Sequence, residues 1–196
     1  MRSIEALFLS SLVAGLAACS PTGSPGSVAA VPSEAVEPMA ATQAADAAAM
    51  AADPRLIVVH KSESCGCCHL WVKHLQGSGL KVVVRNVEDL GGIKERVGVP
   101  YGMGSCHTAE VGGYFIEGHV PAADIVRLLE QRPNAKGLTV PGMPLGSPGM
   151  EMASGNVQPY DVHLVGSDGS TTVFVHHGNR TDQPGATAED GDQAPP

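Results

Sequence analysis

From residue 55 onward, short β-branched runs alternate with amphipathic stretches. Arg55–His60 (RLIVVH) is an apolar run of strand length. After cysteines at 65, 67 and 68, Cys68, Trp71, Val72 and Leu75 recur at helical spacing until Gly77 and Gly79 stop the pattern. Leu80–Val87 (LKVVVRNV) predicts a second strand and Leu90–Val97 a short helix. Beyond a glycine-rich loop, Thr108–Val111 and Gly113–Glu117 read as strands. Pro121–Gln131 predicts a helix with proline at its start and Ile125, Val126, Leu128 and Leu129 on its inner side. Tyr160–Val165 and Thr171–His176 predict a hairpin turned at Ser167-Asp168-Gly169. Between the predicted helix and this hairpin, Gly137–Gln158 shows neither period and reads as a long Pro/Gly/Met loop, of the kind that in a compact domain is usually functional or disordered.

This order of elements is that of an α/β, thioredoxin-like fold: a central mixed sheet, flanking helices and a long Pro/Gly/Met loop, in one domain over residues 54–178. Residues 1–18 read as a signal peptide, with Arg2 ahead of an apolar run, Leu7–Ala18, too short to span a bilayer comfortably. The run ends in Leu16-Ala17-Ala18-Cys19, which resembles a bacterial lipobox, so Cys19 is expected to carry lipid. Ser20, following it, favours sorting to the outer membrane. The expected location is therefore the periplasm, with the membrane reached through the lipid anchor only. Residues 19–53 are Ala, Pro, Ser, Gly and Glu without an aromatic residue, and predict a disordered tether in which Ala40–Ala52 is at most transiently helical. Residues 179–196 predict a solvated tail.

The net charge of −8, with 12 Lys+Arg against 20 Asp+Glu, excludes a nucleic-acid binder, which needs a basic face. Most of that charge lies outside the domain. Residues 54–178 carry −1, the tether −4 and the tail −3, so the acidity says little about any substrate.

Soft ligands concentrate in the domain. All eight histidines, four of the five cysteines and four of the seven methionines fall within residues 54–178. In an exported protein, cysteines default to disulfides. Cys65 and Cys68 have ordinary redox spacing, whereas Cys67 pairs poorly with either neighbour. A thiol–disulfide oxidoreductase using Cys65 and Cys68 is therefore one reading. The other is a metal site. Thiols at a helix N-terminus are pushed toward thiolate by the dipole, and thiolate with thioether and imidazole suits Cu(I). Zinc accepts Cys and His but has no use for methionine, so copper is favoured over zinc.

Further candidates follow along the chain. Where thiol oxidoreductases of this fold place a cis-proline, facing the cysteine-bearing helix end, the chain has Cys106-His107. His119, between a strand and a helix, is either a nearby ligand or a polar strand end. Met143 and Met150 sit in a proline-stiffened segment, Pro141–Met152, that reads as a lid over the site. Met103 and Met152 are weaker candidates. His69 and His74, off the Trp71–Leu75 face, are expected to be solvated, and Trp71 to pack in the core.

Cys65-Gly-Cys-Cys, Ser105-Cys-His-Thr-Ala109, Glu117-Gly-His-Val-Pro121, Pro141-Gly-Met-Pro144, Gly146-Ser-Pro-Gly-Met-Glu151 and Tyr160-Asp-Val162 occur in order. Together they resemble the CopG-like family of periplasmic copper-resistance proteins, over about Leu56 to Val175. The resemblance implies a thioredoxin-like fold, copper bound at Cys65, Cys67, Cys68, Cys106 and His107, and a part in copper tolerance and Cu(I)/Cu(II) redox handling. It leaves ligation by Met143 and Met150 open. Sequestration of more than one Cu(I) ion, redox turnover, and delivery to copper efflux or chaperone proteins all fit it.

Overall fold

The computed structural model describes residues 37–178. Eleven elements follow in order: α1 (Glu37–Ala52), β1 (Ile57–Lys61), α2 (Gly66–Gly77), β2 (Val82–Asn86), α3 (Gly91–Val97), β3 (His107–Val111), β4 (Tyr114–Glu117), α4 (Ala122–Gln131), β5 (Ala135–Thr139), β6 (Tyr160–Gly166) and β7 (Thr171–His177). The strands form one sheet in the order β2-β1-β3-β4-β5-β6-β7. β1 pairs with β2 and β4 with β5 in parallel; the remaining neighbours are antiparallel. A mixed seven-stranded sheet flanked by four helices is a thioredoxin-like α/β fold, with β5–β7 extending its far edge.

Burial explains the strand pattern. All five residues of β1 and all four of β4 are buried, so these central strands read as continuous runs rather than alternations. α2 turns Cys68, Trp71, Val72 and Leu75 inward, the spacing read from the sequence. Trp71 is fully buried and its indole N–H donates to the Val120 carbonyl at 2.8 Å, which satisfies the one polar group it takes out of water. Ile125 and Leu128 of α4 and Ile57, Ile116 and Leu138 of the sheet complete this layer. Each such aliphatic side chain, fully buried, stabilises the fold by about 1.5–3 kcal/mol.

Two segments differ from the sequence expectation. Residues 37–52, expected in a disordered tether, form α1, with Asp46 5% exposed and paired to both Nε and Nη2 of Arg85 on β2. Alanine supplies the helix propensity, and a long-range ion pair supplies the docking that propensity cannot. Residues 135–139, placed partly in the long loop, form β5 between β4 and β6. Its Gly137 breaks the apolar run, yet close packing demands it: a Cβ there would come within 2.0 Å of the Phe115 carbonyl oxygen. The expected signal peptide, Cys19, the tether before residue 37 and the tail after 178 lie outside the described residues.

Candidate metal centre

The cysteine cluster sits where β1 gives way to α2. Cys65 is the N-cap of α2, and its sulfur accepts the Cys68 N–H at 3.4 Å. Cys65 and Cys68 are joined as a disulfide, while Cys67 and Cys106 are free thiols, both half-buried. Cys67 Sγ lies 3.6 Å from Cys65 Sγ and 3.9 Å from Cys106 Sγ. On the same sulfur, at 3.9 Å, stands the Met143 thioether, whose side chain is 51% exposed. The four cysteine sulfurs all lie within 4.8 Å of one another.

Cys106 belongs to a second group as well. With His107 and His119 it forms a set whose ligand atoms also fall within 4.8 Å. Its sulfur is 3.3 Å from His107 Nδ1 and 3.2 Å from His119 Nε2. His119 Nδ1–H donates to the Pro148 carbonyl at 2.8 Å, so Nε2 is the bare nitrogen and faces the thiol. His107 is fully buried, packed on Trp71 with ring centres 4.3 Å apart, and its Nε2 has no hydrogen-bond partner among the described residues. A buried nitrogen without a partner is costly unless something else satisfies it.

The electrostatics suit ligation. Burial, and then the neighbouring His119 and Lys94, push the His107 imidazole down to about 3. Burial likewise lowers His119. Both rings are therefore neutral near pH 7, the form that binds metal. Burial, and next the charge on Cys67, push the Cys106 thiol up to about 11. Without a metal Cys106 holds its proton; a metal ion has to displace it.

Behind this layer a buried carboxylate braces the loop. Glu117, at the end of β4 and fully buried, accepts the Ser105 N–H at 2.6 Å and the Thr108 hydroxyl at 2.7 Å, and pairs with the Lys94 ammonium of α3. Lys94 also donates to Thr108 Oγ1 at 3.0 Å. Burial raises Glu117, against the lowering pull of Lys94. Residue pattern alone does not single out Glu117 or Lys94. The available signal was a carboxylate closing an otherwise apolar strand, Tyr114-Phe-Ile-Glu117.

The structure thus brings together Cys65, Cys67, Cys68, Cys106, His107, His119 and Met143. Met150 is different: it joins the loop through backbone hydrogen bonds to Ser147 and Gly146, and among the described residues no hydrogen-bond contact links its sulfur to a cysteine. Met103 lends its carbonyl to Thr139 at 2.6 Å and Met152 is exposed. The loop does lie on the site. Gly149, at φ +84°, sits so close to α2 that a Cβ would meet the Cys67 carbonyl at 2.7 Å and the Trp71 nitrogen at 2.8 Å. His69 is exposed as expected, but His74 is not simply solvated. Its Nε2 accepts the Ala122 N–H at 3.1 Å and caps α4.

Chemically, the centre offers a sulfur-rich corner and an imidazole-rich corner that share Cys106. The donors fit a soft or borderline metal ion, and the neutral imidazoles agree with that.

Among solved structures, "Copper resistance protein copG- Form 1" aligns with TM-score 0.61 at 46% identity, covering 65% of this chain and all of that one. The chain belongs to the CopG-like copper-resistance family. "Copper resistance protein copG- Form 2" aligns likewise, with TM-score 0.60 at 46% identity over 62% of this chain and 97% of that one. Residues 103–150 match the family described as "Protein of unknown function, DUF411", a span that holds Cys106, His107, His119, Met143 and Met150 of this CopG-like chain. No curated protein matches the chain.

Proposed function

We propose that this protein sequesters copper as Cu(I) at the Cys/His/Met centre, in a site that takes more than one ion, and that it serves copper tolerance. The observation that carries the reading is the Met143 thioether beside Cys67, 3.9 Å away. Zinc gains little from a thioether, whereas Cu(I) favours it. Two donor groups sharing one cysteine support multinuclear binding, because a single ion leaves one corner idle. The family's copper-resistance members point the same way. Exchange with an external dithiol, which leaves as its own disulfide, reduces the Cys65–Cys68 disulfide and supplies the remaining two thiols, so the holding state is the reduced one, and redox cycling of bound copper belongs to the same reading.

The protein's place, in this proposal, is the periplasm, anchored at the outer membrane by lipid on Cys19, with copper ions and copper efflux or chaperone proteins as partners. Among the described residues no helix is long and apolar enough to cross a membrane.

The Cys65–Cys68 disulfide favours a second reading, a thiol–disulfide oxidoreductase. Cys67→Ser separates the two, since it spares the redox pair and removes the sulfur that links Cys65, Cys106 and Met143. The copper reading expects lost copper retention after anaerobic purification and lost tolerance in cells. Intact copper content and tolerance, alongside robust insulin reduction, would hand the function to the oxidoreductase.

A further inference from the structure

The loop that carries Cys106 and the loop that carries Met143 are stitched together at one point. Gly142 donates its N–H to the Gly104 carbonyl at 3.1 Å, and its own carbonyl accepts the Ser105 hydroxyl at 2.5 Å. Ser105 is itself held from behind, because its N–H donates to Glu117 Oε1 at 2.6 Å. Cys106 follows Ser105 and Met143 follows Gly142, so both donors are placed by groups immediately before them in the chain. Met143 is half-exposed, and the hydrogen bonds of its neighbour, together with the Cys67 sulfur, are what holds it against the cluster.

We propose that Ser105 is a positioning residue of the metal centre, holding the Met143 thioether at the Cys67 end of the cluster through its bond to Gly142. Glu117 braces Ser105 in turn, and Lys94 balances the Glu117 carboxylate, so that the brace adds no net negative charge beside the thiols. The inference rests on the copper reading for its consequence, but not for its geometry. Ser105 is not itself a ligand. Its hydroxyl lies 3.8 Å from the Cys106 sulfur and bonds the Gly142 carbonyl, on the backbone that carries the thioether. Outer groups of this kind, when removed, typically cost about 10–100-fold in metal affinity.

The test is a double-mutant cycle with Ser105→Ala and Met143→Leu in the full chain, reduced and handled anaerobically. The first readout needs no copper. In metal-free protein labelled at methionine methyls, Ser105→Ala should shift and narrow the Met143 signal while the other methionine signals stay in place. The second readout is cuprous-ion affinity against a chromogenic Cu(I) chelator. Each single variant should lose about 10–100-fold, and the double variant should lose less than the two losses combined, because both changes act on the same thioether. An unmoved Met143 signal in Ser105→Ala overturns the proposal, and so do losses that simply add. If the unsubstituted protein itself retains no cuprous ion, the copper reading falls instead, and the methyl signal still decides what places Met143.

Discussion

His119 presents a bare Nε2 to the Cys106 sulfur at 3.2 Å because Pro148 occupies its other nitrogen at 2.8 Å. A backbone carbonyl of the proline-rich loop thereby selects the tautomer of a side chain 29 residues earlier. If that nitrogen is a ligand, His119→Gln should weaken cuprous-ion binding by about 10–100-fold while leaving the Cys65–Cys68 disulfide able to form. Competition titration measures it; an unchanged affinity removes His119 from the centre.

As a ligand, Cys106 would tie metal affinity to pH. Its thiol, pushed up to about 11 by burial and then by Cys67, is protonated throughout the neutral range. Binding must release that proton, so apparent affinity should rise with pH, by roughly tenfold per pH unit for each proton displaced between about pH 6 and about pH 8. The His107 imidazole adds nothing to this slope, since, lowered to about 3, it stays neutral over the whole window. Chelator competition at several pH values, with proton release followed in weak buffer, checks the slope.

Acid stability should depend on Glu110. Arg96 grips both its oxygens, at 2.9 and 2.7 Å, and with His60 holds its carboxyl down at about 2, below the ordinary 4.5. A depressed carboxyl contributes stability that is fully present above the unfolded value and is lost as pH falls through the folded one. The contribution of Glu110 should therefore drain away as pH falls from about 4.5 toward about 2. Denaturant midpoints for Glu110→Gln should be lower than those of the parent at neutral pH, and the two should converge in acid.

Gly149→Ala should both destabilise the fold and disturb the centre. The left-handed backbone alone costs a residue with a side chain about 1–2 kcal/mol. The added carbon also meets the Cys67 carbonyl and the Trp71 nitrogen, which cannot swing aside as a side chain would. Urea unfolding should show a loss of at least about 1 kcal/mol, and metal affinity should fall, since relief means lifting the loop from the first turn of α2. A variant with unchanged stability would mean that the loop does not bear on that turn.

Much of the fold is readable from periodicity. α2 and α4 announce themselves by the spacing of Trp71, Val72 and Leu75, and of Ile125 and Leu128, because a helix that buries one face must repeat its apolar residues every three or four positions. The nearness of Cys65, Cys67 and Cys68 needs no fold at all, and the order of elements suffices to bring Cys106 opposite them. β5 was not legible, since its central glycine answers to the Phe115 carbonyl on a neighbouring strand rather than to any local preference. Nor was the docking of α1, where alanine leaves helix and coil nearly balanced and Asp46 finds Arg85 39 residues away.

What the sequence determined by itself is therefore the set of candidate donors and the helix end that gathers three of them. Tertiary structure alone brought the Met143 thioether to Cys67, out of a loop that carries Met143, Met150 and Met152 among prolines and glycines. The reason is that such a loop has no repeating hydrogen bonds to give its side chains a periodic direction. Its path depends on single long-range bonds, Gly142 to Gly104 and Ser105 on one side and Pro148 to His119 on the other. The first bonds set the backbone beside Met143 against Ser105, next to Cys106, and leave the thioether at Cys67. The turn that follows carries Met150 with its backbone bonded to Gly146 and Ser147.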